Sequence, residues 1–288
     1  MTIVLHEPGV DGPTRAVDAL RAWQDDRTPL QLHPGDLGWA WALGAERLAA
    51  AVRIWSAGGR IIAVGFLDGP DVLRLTTAPD LRQDGELARR LLADLDDPGR
   101  GVLPAGKAGL EIPDSALLRE VLLAAGWYLD EPWTPLCRDL AGPVRDSGLR
   151  IEVAGPRTAG VRTAVHRSAF GSPRFTEEVW HVLAAAPVYA DARCLIGYDD
   201  HGDAVAAATV WSAGPGKPGL LEPVGVHADH RGRGYGTAIS VAAAAALREM
   251  GASSALVCTP SANAAAVAAY RAAGFVPSAE RLDISRGA

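Results

Sequence analysis

Two stretches of this chain occur twice, in the same order and at nearly the same spacing. Pro79-Asp80-Leu81-Arg82-Gln83-Asp84-Gly85 returns as Ala228-Asp229-His230-Arg231-Gly232-Arg233-Gly234, with Arg231 standing 149 residues beyond Arg82. Ala124-Ala125-Gly126-Trp127 returns as Ala272-Ala273-Gly274-Phe275, 148 residues on. A repeat this long is a domain rather than a supersecondary unit. The 288 residues therefore divide into two copies, 1–145 and 146–288, with a Gly- and Pro-bearing linker at 141–148.

Each copy interleaves strands with helices. In the first, strands at 52–56 and 60–66 flank the hairpin signal Gly58-Gly59, and a third covers 71–77. A helix over 85–95, a strand over 108–112 and a helix over 114–125, capped by Asp114 and ended by Gly126, come next. Strands around Tyr128 and Leu136 close this copy. The second copy reads as a strand at 150–153, helices at 158–169 and 176–185, and strands at 193–198, 204–211 and 220–226. A long helix over 234–250, a strand over 255–258, a helix over 263–273 and a strand over 281–285 complete it. The pattern predicts an α/β fold (α+β, with a mixed sheet) in each half.

Composition excludes several function classes. Hydrophobic residues at 48% and charged residues at 22% suffice for two cores and are not those of a disordered chain. No apolar run reaches the roughly 18 residues that cross a bilayer, and residues 1–8 lack a basic leader, so neither a membrane nor a secretory route is expected. Cys137, Cys194 and Cys258 are odd in number and far apart, which argues against a disulfide framework or a zinc site and for the cytoplasm. The net charge of −6 falls wholly in the first copy, which has 15 basic and 21 acidic residues against 13 of each in the second. No basic stripe invites nucleic acid. The acidic half suits a cationic small substrate, and suits solubility equally.

The chemistry is announced by residues 220–236. A strand ending in Val224-Gly225-Val226 runs through His227 into Arg231-Gly232-Arg233-Gly234-Tyr235-Gly236, which opens the long helix. Alternating glycines let backbone N–H groups approach one phosphate, and the helix N-terminus adds free donors and a positive dipole end. The spacing fits neither the Rossmann fingerprint, because Thr237 stands where a third glycine belongs, nor a Walker A loop, which needs a lysine absent from this segment.

Arg231, Gly234 and Gly236, with Asn263, Tyr270 and Gly274-Phe275 beyond, resemble the cofactor motif of the GNAT superfamily of N-acetyltransferases. The tandem arrangement, His166-Arg167-Ser168-Ala169-Phe170 and the Phe175–Trp180 stretch are similar to the double-domain acetyltransferases of the mycothiol synthase type. Leu220 stands where those enzymes carry an acid, which sets the mycothiol precursor apart from the implied acceptors. The resemblance implies two tandem GNAT-like domains, the first degenerate and serving as scaffold or substrate wall. It implies acetyl-CoA as cosubstrate, no metal, and binding by Val224, Gly225, Val226, Arg231, Gly232, Arg233, Gly234, Tyr235, Gly236, Thr237, Asn263 and Tyr270. In the first copy Leu87 replaces Gly236, Leu122 replaces Tyr270, and Asp84 and Glu86 place negative charge where an anion would sit.

The resemblance casts Tyr270 as the acid that protonates the leaving thiolate, although a helical Tyr read alone is a packing residue. It casts the Val226 amide as the donor to the thioester oxygen. Glu222 is the candidate base. Strand alternation puts it on one face with Leu220, Val224 and Val226, where a carboxylate needs a reason: either proton transfer or a buried ion pair with an arginine. His227 and His230 lack the company a metal site needs. Phe170, Phe175, Trp180 and Tyr189 fall where the superfamily forms its acceptor cleft, and Trp39 and Trp41 could face the same space; core packing is the ordinary alternative for each. These residues point to acetylation of a primary amine on a small molecule, such as an aminated antibiotic or amino-sugar conjugate, by a monomer or homodimer. An acyl-CoA sensor, or an acetyltransferase for protein lysines or N-termini, is the alternative.

Overall fold

The computed structural model describes residues 2–28 and 31–287. The first half runs β1 (Val4–His6), α1 (Gly12–Trp23), α2 (Pro34–Ala40), α3 (Ala45–Ala51), β2 (Val52–Ala57), β3 (Arg60–Leu67), β4 (Val72–Thr77), α4 (Gly85–Asp96), β5 (Ala108–Glu111), α5 (Leu117–Ala124) and β6 (Tyr128–Asp139). The second runs β7 (Arg150–Val153), α6 (Ala159–Phe170), α7 (Glu177–Ala184), β8 (Ala192–Tyr198), β9 (Ala204–Trp211), β10 (Gly219–Val226), α8 (Tyr235–Glu249), β11 (Ser254–Pro260), α9 (Ala264–Ala272), β12 (Val276–Pro277) and β13 (Arg281–Arg286).

All strands join one mixed sheet ordered β1-β2-β3-β4-β5-β13-β6-β11-β10-β9-β8-β7, with β12 beside β6. Its middle is an exchange. β6 pairs antiparallel with β11 from Asp139↔Ser254 to Trp133↔Pro260, and β13 pairs antiparallel with β5 over Ile284–Arg286. The last strand of each copy thus completes the other copy's wing, and β6 and β13 pair with each other. Hydrophobic cores lie under α4–α5 (Leu87, Leu91, Leu122) and under α8 (Ile239, Leu247, Val257). A further core is shared by both halves, where Leu20, Leu37 and Trp41 meet Phe175, Trp180 and Trp211.

Five elements were not legible in the pattern: the short strands β1 and β12 and the helices α1, α2 and α3. Two of them, α2 and α3, have only seven residues: α2 carries two glycines and a leading proline, and α3 is mostly alanine with one leucine, so neither presents a clean apolar stripe. Two expectations are corrected. The helix expected from 114 begins at Leu117 with an Ala116 cap, because the Ala116 amide closes a turn on Pro113; Asp114 reaches Arg119 at 3.4 Å instead of capping. The alternation expected along 220–226 is broken by a bulge between Leu221 and Val224. Leu220 therefore packs with Trp211 in the shared core, while Val224 and Val226 turn to the α8 side.

Helix α2 is what brings the first half to the site. Its N-terminus carries a reciprocal cap: Gly35 donates to His33 Nδ1 at 2.9 Å and the His33 amide donates to Asp36 Oδ2 at 2.6 Å. Burial lowers the His33 pKa to about 4 despite Asp36, so its ring is neutral and bonds the Pro218 carbonyl. Gly35 and Gly38 lie directly on Trp211, where a Cβ on either would come within 2.5 Å of the indole.

Candidate active site

Strands β10 and β11 pair at only two positions, Gly219↔Ala255 and Leu220↔Leu256, and then diverge. A cleft of about 680 Å³ opens beyond the divergence. Val224, Gly225, Val226, Arg231, Gly232, Gly234, Tyr235, Gly236, Thr237, Asn263 and Tyr270 all line it, and Phe170 forms its other wall. Arg233 does not line it and is exposed. Asn263 caps α9 through its side-chain oxygen, 3.2 Å from the Ala266 amide, leaving its NH₂ group for the cleft.

The loop fits a diphosphate. Gly234, at φ +85°, is the helix cap and supplies no side chain to the N–H groups that follow, so the first turn of α8 keeps its donors free. Gly232, at φ +76°, likewise has nothing within 4 Å of where a Cβ would stand. Arg231 is tied back to the Ala169 carbonyl at 2.6 Å, which fixes the loop against α6.

The corresponding place in the first half is filled. Asp84 donates nothing but accepts from the Leu87 amide at 2.7 Å, so a carboxylate of the chain itself occupies the start of α4. Arg82, the counterpart of Arg231, is spent on Thr28 Oγ1 at 2.8 Å and on Gln31 Oε1 at 3.4 Å, and Thr76 also donates to that Gln31 oxygen.

Within the diverging strands the backbone is oriented by its neighbours. His227 donates its N–H to the Val205 carbonyl at 2.9 Å, and Val226 stands opposite Ala206. Strand alternation then turns the Val226 N–H to the other edge, toward the cleft. Tyr270 is 8% exposed, and its hydroxyl makes no hydrogen bond among the described residues. Burial, reinforced by Glu222 and Cys258, pushes the phenol well above its ordinary range and keeps it protonated.

Tyr270 also lines a second chamber, of about 380 Å³, with Phe170, Glu222, Cys258, Arg74 and Arg281. Here both halves meet. Arg74 on β4 lies 3.0 Å from Asp36, 3.0 Å from Glu111, 3.7 Å from Asp68 and 3.9 Å from Glu222; Arg281 reaches Glu111 at 3.1 Å and Asp283 at 3.3 Å. Burial alone would lower the Arg74 guanidinium, but these acids hold it well above its usual range. The Glu222 side chain is 34% exposed and lines this chamber. Burial raises its carboxyl well above the ordinary range, Asp36 adds to the shift and Arg74 opposes it. Trp211 holds the Glu222 carbonyl through its indole N–H at 2.8 Å.

Glu222, Asp68 and Arg74 in turn border a third space of about 730 Å³, walled by Trp39, His166 and Phe175. The rings stack within 5.5 Å of one another, Trp39 over His166 and Phe175. Of the aromatics singled out from the sequence, Trp39, Phe170 and Phe175 border these spaces. Trp180 and Trp41 are core residues, and Tyr189 packs edge-on between Trp180 and Trp211. Sequence reasoning did not single out Asp36, Asp68, Arg74 or Arg281; the acidic excess of the first half was the trace of the two aspartates, and the arginine partner considered for Glu222 was the trace of Arg74.

A chain whose diverging strands, glycine-rich helix start and buried tyrosine share one cleft is an acyltransferase by class. Residues 163–275 match the family model of the acetyltransferase (GNAT) family. No curated protein matches the chain. Among solved structures it is similar to a tandem GNAT protein from the clavulanic acid biosynthesis pathway, at 17% identity and TM-score 0.63, covering 99% of this chain and 98% of that one. A GNAT-family acetyltransferase from Colwellia psychrerythraea has 16% identity and TM-score 0.64 with 100% of both chains covered. A GCN5-related N-acetyltransferase from Sphaerobacter thermophilus has 18% identity and TM-score 0.56, covering 99% and 95%. The whole chain thus has the tandem GNAT fold. No helix among the described residues is long and apolar enough to cross a membrane.

Proposed function

We propose that the chain transfers an acetyl group from acetyl-CoA to the primary amine of a small molecule, at one site per chain. The observation that carries this reading is continuity: the cleft at the α8 loop, the Tyr270–Glu222 chamber and the aromatic pocket share residues in series. Acetyl-CoA supplies the acetyl thioester. The α8 loop and first turn hold its diphosphate, and the Val226 N–H meets the thioester oxygen as it gains charge.

Glu222 takes the proton of the attacking amine. Its raised affinity for protons brings a carboxylate closer to working pH, where a general base is most effective. Tyr270, kept protonated by burial, gives its proton to the departing sulfur. The aromatic pocket is built by both halves, a shape that supports a small acceptor over a protein segment. Three unpaired cysteines support a reducing, cytoplasmic setting. The test is amine-dependent release of free CoA across a panel of amines, amino sugars and aminated antibiotics. Release with any of them separates an enzyme from a sensor, and release with none of them, from protein that binds acetyl-CoA, refutes the reading.

A further inference from the structure

The pocket beyond Glu222 is charged differently at its two ends. Its inner end holds Asp36, Asp68 and Glu222 around the single guanidinium of Arg74, which Glu111 also engages. Asp36 is 3% exposed, and its Oδ1, although 3.0 Å from Arg74, has no hydrogen bond of acceptable direction. With Asp36, Asp68, Glu111 and Glu222 about one guanidinium, that end is short of positive charge.

The outer end is the reverse. Arg47 and Arg174 border it from α3 and from the segment before α7, both exposed, and neither side chain has an ion pair among the described residues. A buried cation behind the pocket wall adds to the same sign. His166 lines the pocket, and Arg162, one turn earlier on α6, is 1% exposed. Its Nη2 donates to Thr209 Oγ1 at 3.2 Å, while Nε and Nη1 have no hydrogen-bond partner and no carboxylate pairs with it among the described residues. Its charge is felt at His166, whose pKa falls to about 3 through burial first and Arg162 second, so the ring itself adds no charge.

We infer that the acceptor is a dipolar amine, with its amino group at Asp36 and Glu222 and an anionic group, carboxylate or phosphate, turned to Arg47 and Arg174. This rests on the amine-acetylation reading and narrows it. A pocket of about 730 Å³ with few polar groups at opposite ends is the form that recognises such a molecule by both termini. A purely cationic amine would satisfy the inner end and meet repulsion at the outer one.

The test compares n-hexylamine, ε-aminocaproate and hexamethylenediamine as acceptors, which share a chain length and differ in the far group. O-phosphorylethanolamine is added to separate phosphate from carboxylate. kcat/KM is measured for the wild-type chain and for R47E/R174E, and calorimetry follows binding of the same compounds to CoA-loaded protein. The wild type should favour an amine with an anionic end, and R47E/R174E should favour the diamine. The ratio of the two should move about a hundredfold, roughly tenfold per reversed charge. An unchanged order in the variant, a wild type that prefers the diamine, or neither binding nor turnover of any anionic amine overturns the inference. Tight binding of an anionic amine that is lost in R47E/R174E, with no CoA released by any compound, upholds the dipolar pocket and refutes acetyl transfer instead.

Discussion

Gly38 and Trp211 touch across the two halves so closely that a Cβ on Gly38 would lie 2.4 Å from the indole Cζ3. The same indole donates its N–H to the Glu222 carbonyl. One tryptophan therefore sets both the depth at which α2 docks and the position of Glu222, and Asp36, three residues into α2, reaches Arg74 and the Glu222 carboxyl as a result.

Gly38→Ala should accordingly act at a distance from the chemistry. Forcing a methyl onto Trp211 is overpacking, with an expected cost of about 1–3 kcal/mol in thermal or denaturant unfolding. The acceptor KM should rise several-fold while acetyl-CoA affinity, set by the α8 loop, holds. Equal loss of both affinities would show that α2 does not position the acceptor side.

Acetyl-CoA should bind once per chain. The α8 start is free of side-chain caps, whereas Asp84 closes the α4 start and Arg82 is engaged by Thr28 and Gln31. Calorimetric titration should give a stoichiometry of one. Gly234→Val, which places a β-branched residue at φ +85°, should abolish it. A second binding event would contradict the filled first-half site.

Tyr270→Phe keeps the ring and removes the proton donor. Loss of a general acid costs about 10²–10⁴-fold, so kcat should fall within that range with little change in acetyl-CoA affinity. A kcat within a few-fold of wild type would transfer the acid role to water or another group.

Glu222→Gln should lower kcat and remove the acid limb of the rate profile that Glu222 governs. Its effect on stability has a definite sign. A carboxyl whose folded pKa lies above its unfolded value binds more protons in the folded state, so stability falls as pH rises from the unfolded carboxylate range through the raised folded pKa. The glutamine variant lacks that fall. Its melting temperature relative to wild type should therefore climb with pH across this window, and a difference independent of pH would refute the assignment.

Acid acts through the histidines in the opposite sense. His33 and His166 have pKa values lowered to about 4 and about 3, chiefly by burial, against an unfolded value near 6.5. The unfolded chain then binds more protons, and stability drops as pH falls from about 6.5 toward 4. His33→Asn should flatten that slope, whatever it does to the absolute melting temperature, and an unaltered slope would exclude His33 as a contributor.

The repeat and the glycine loop were readable from residue order because each depends on local chemistry, whereas Tyr270 was singled out by the family resemblance and Glu222 by an alternation that the bulge interrupts. A helix start that must hold an anion needs small residues in sequence, and strand and helix periods are short-range. A first-half wall with Trp39 was expected, but the charged residues it brings were not readable. Arg74, Asp36 and Asp68 lie on separate elements of the first half, and Asp36 and Glu222 are 186 positions apart. They meet because α2 seats on Trp211 and because the exchange of β6 and β13 joins the two wings into one sheet. The bulge at 222–223 also lay beyond alternation, since an extra residue shows itself only against a partner strand. Nearest-neighbour order decided that the second half could hold a phosphorylated cosubstrate. Long-range packing decided which charges border the pocket beyond Glu222, because electrostatics acts through space and sequence separation places no limit on it.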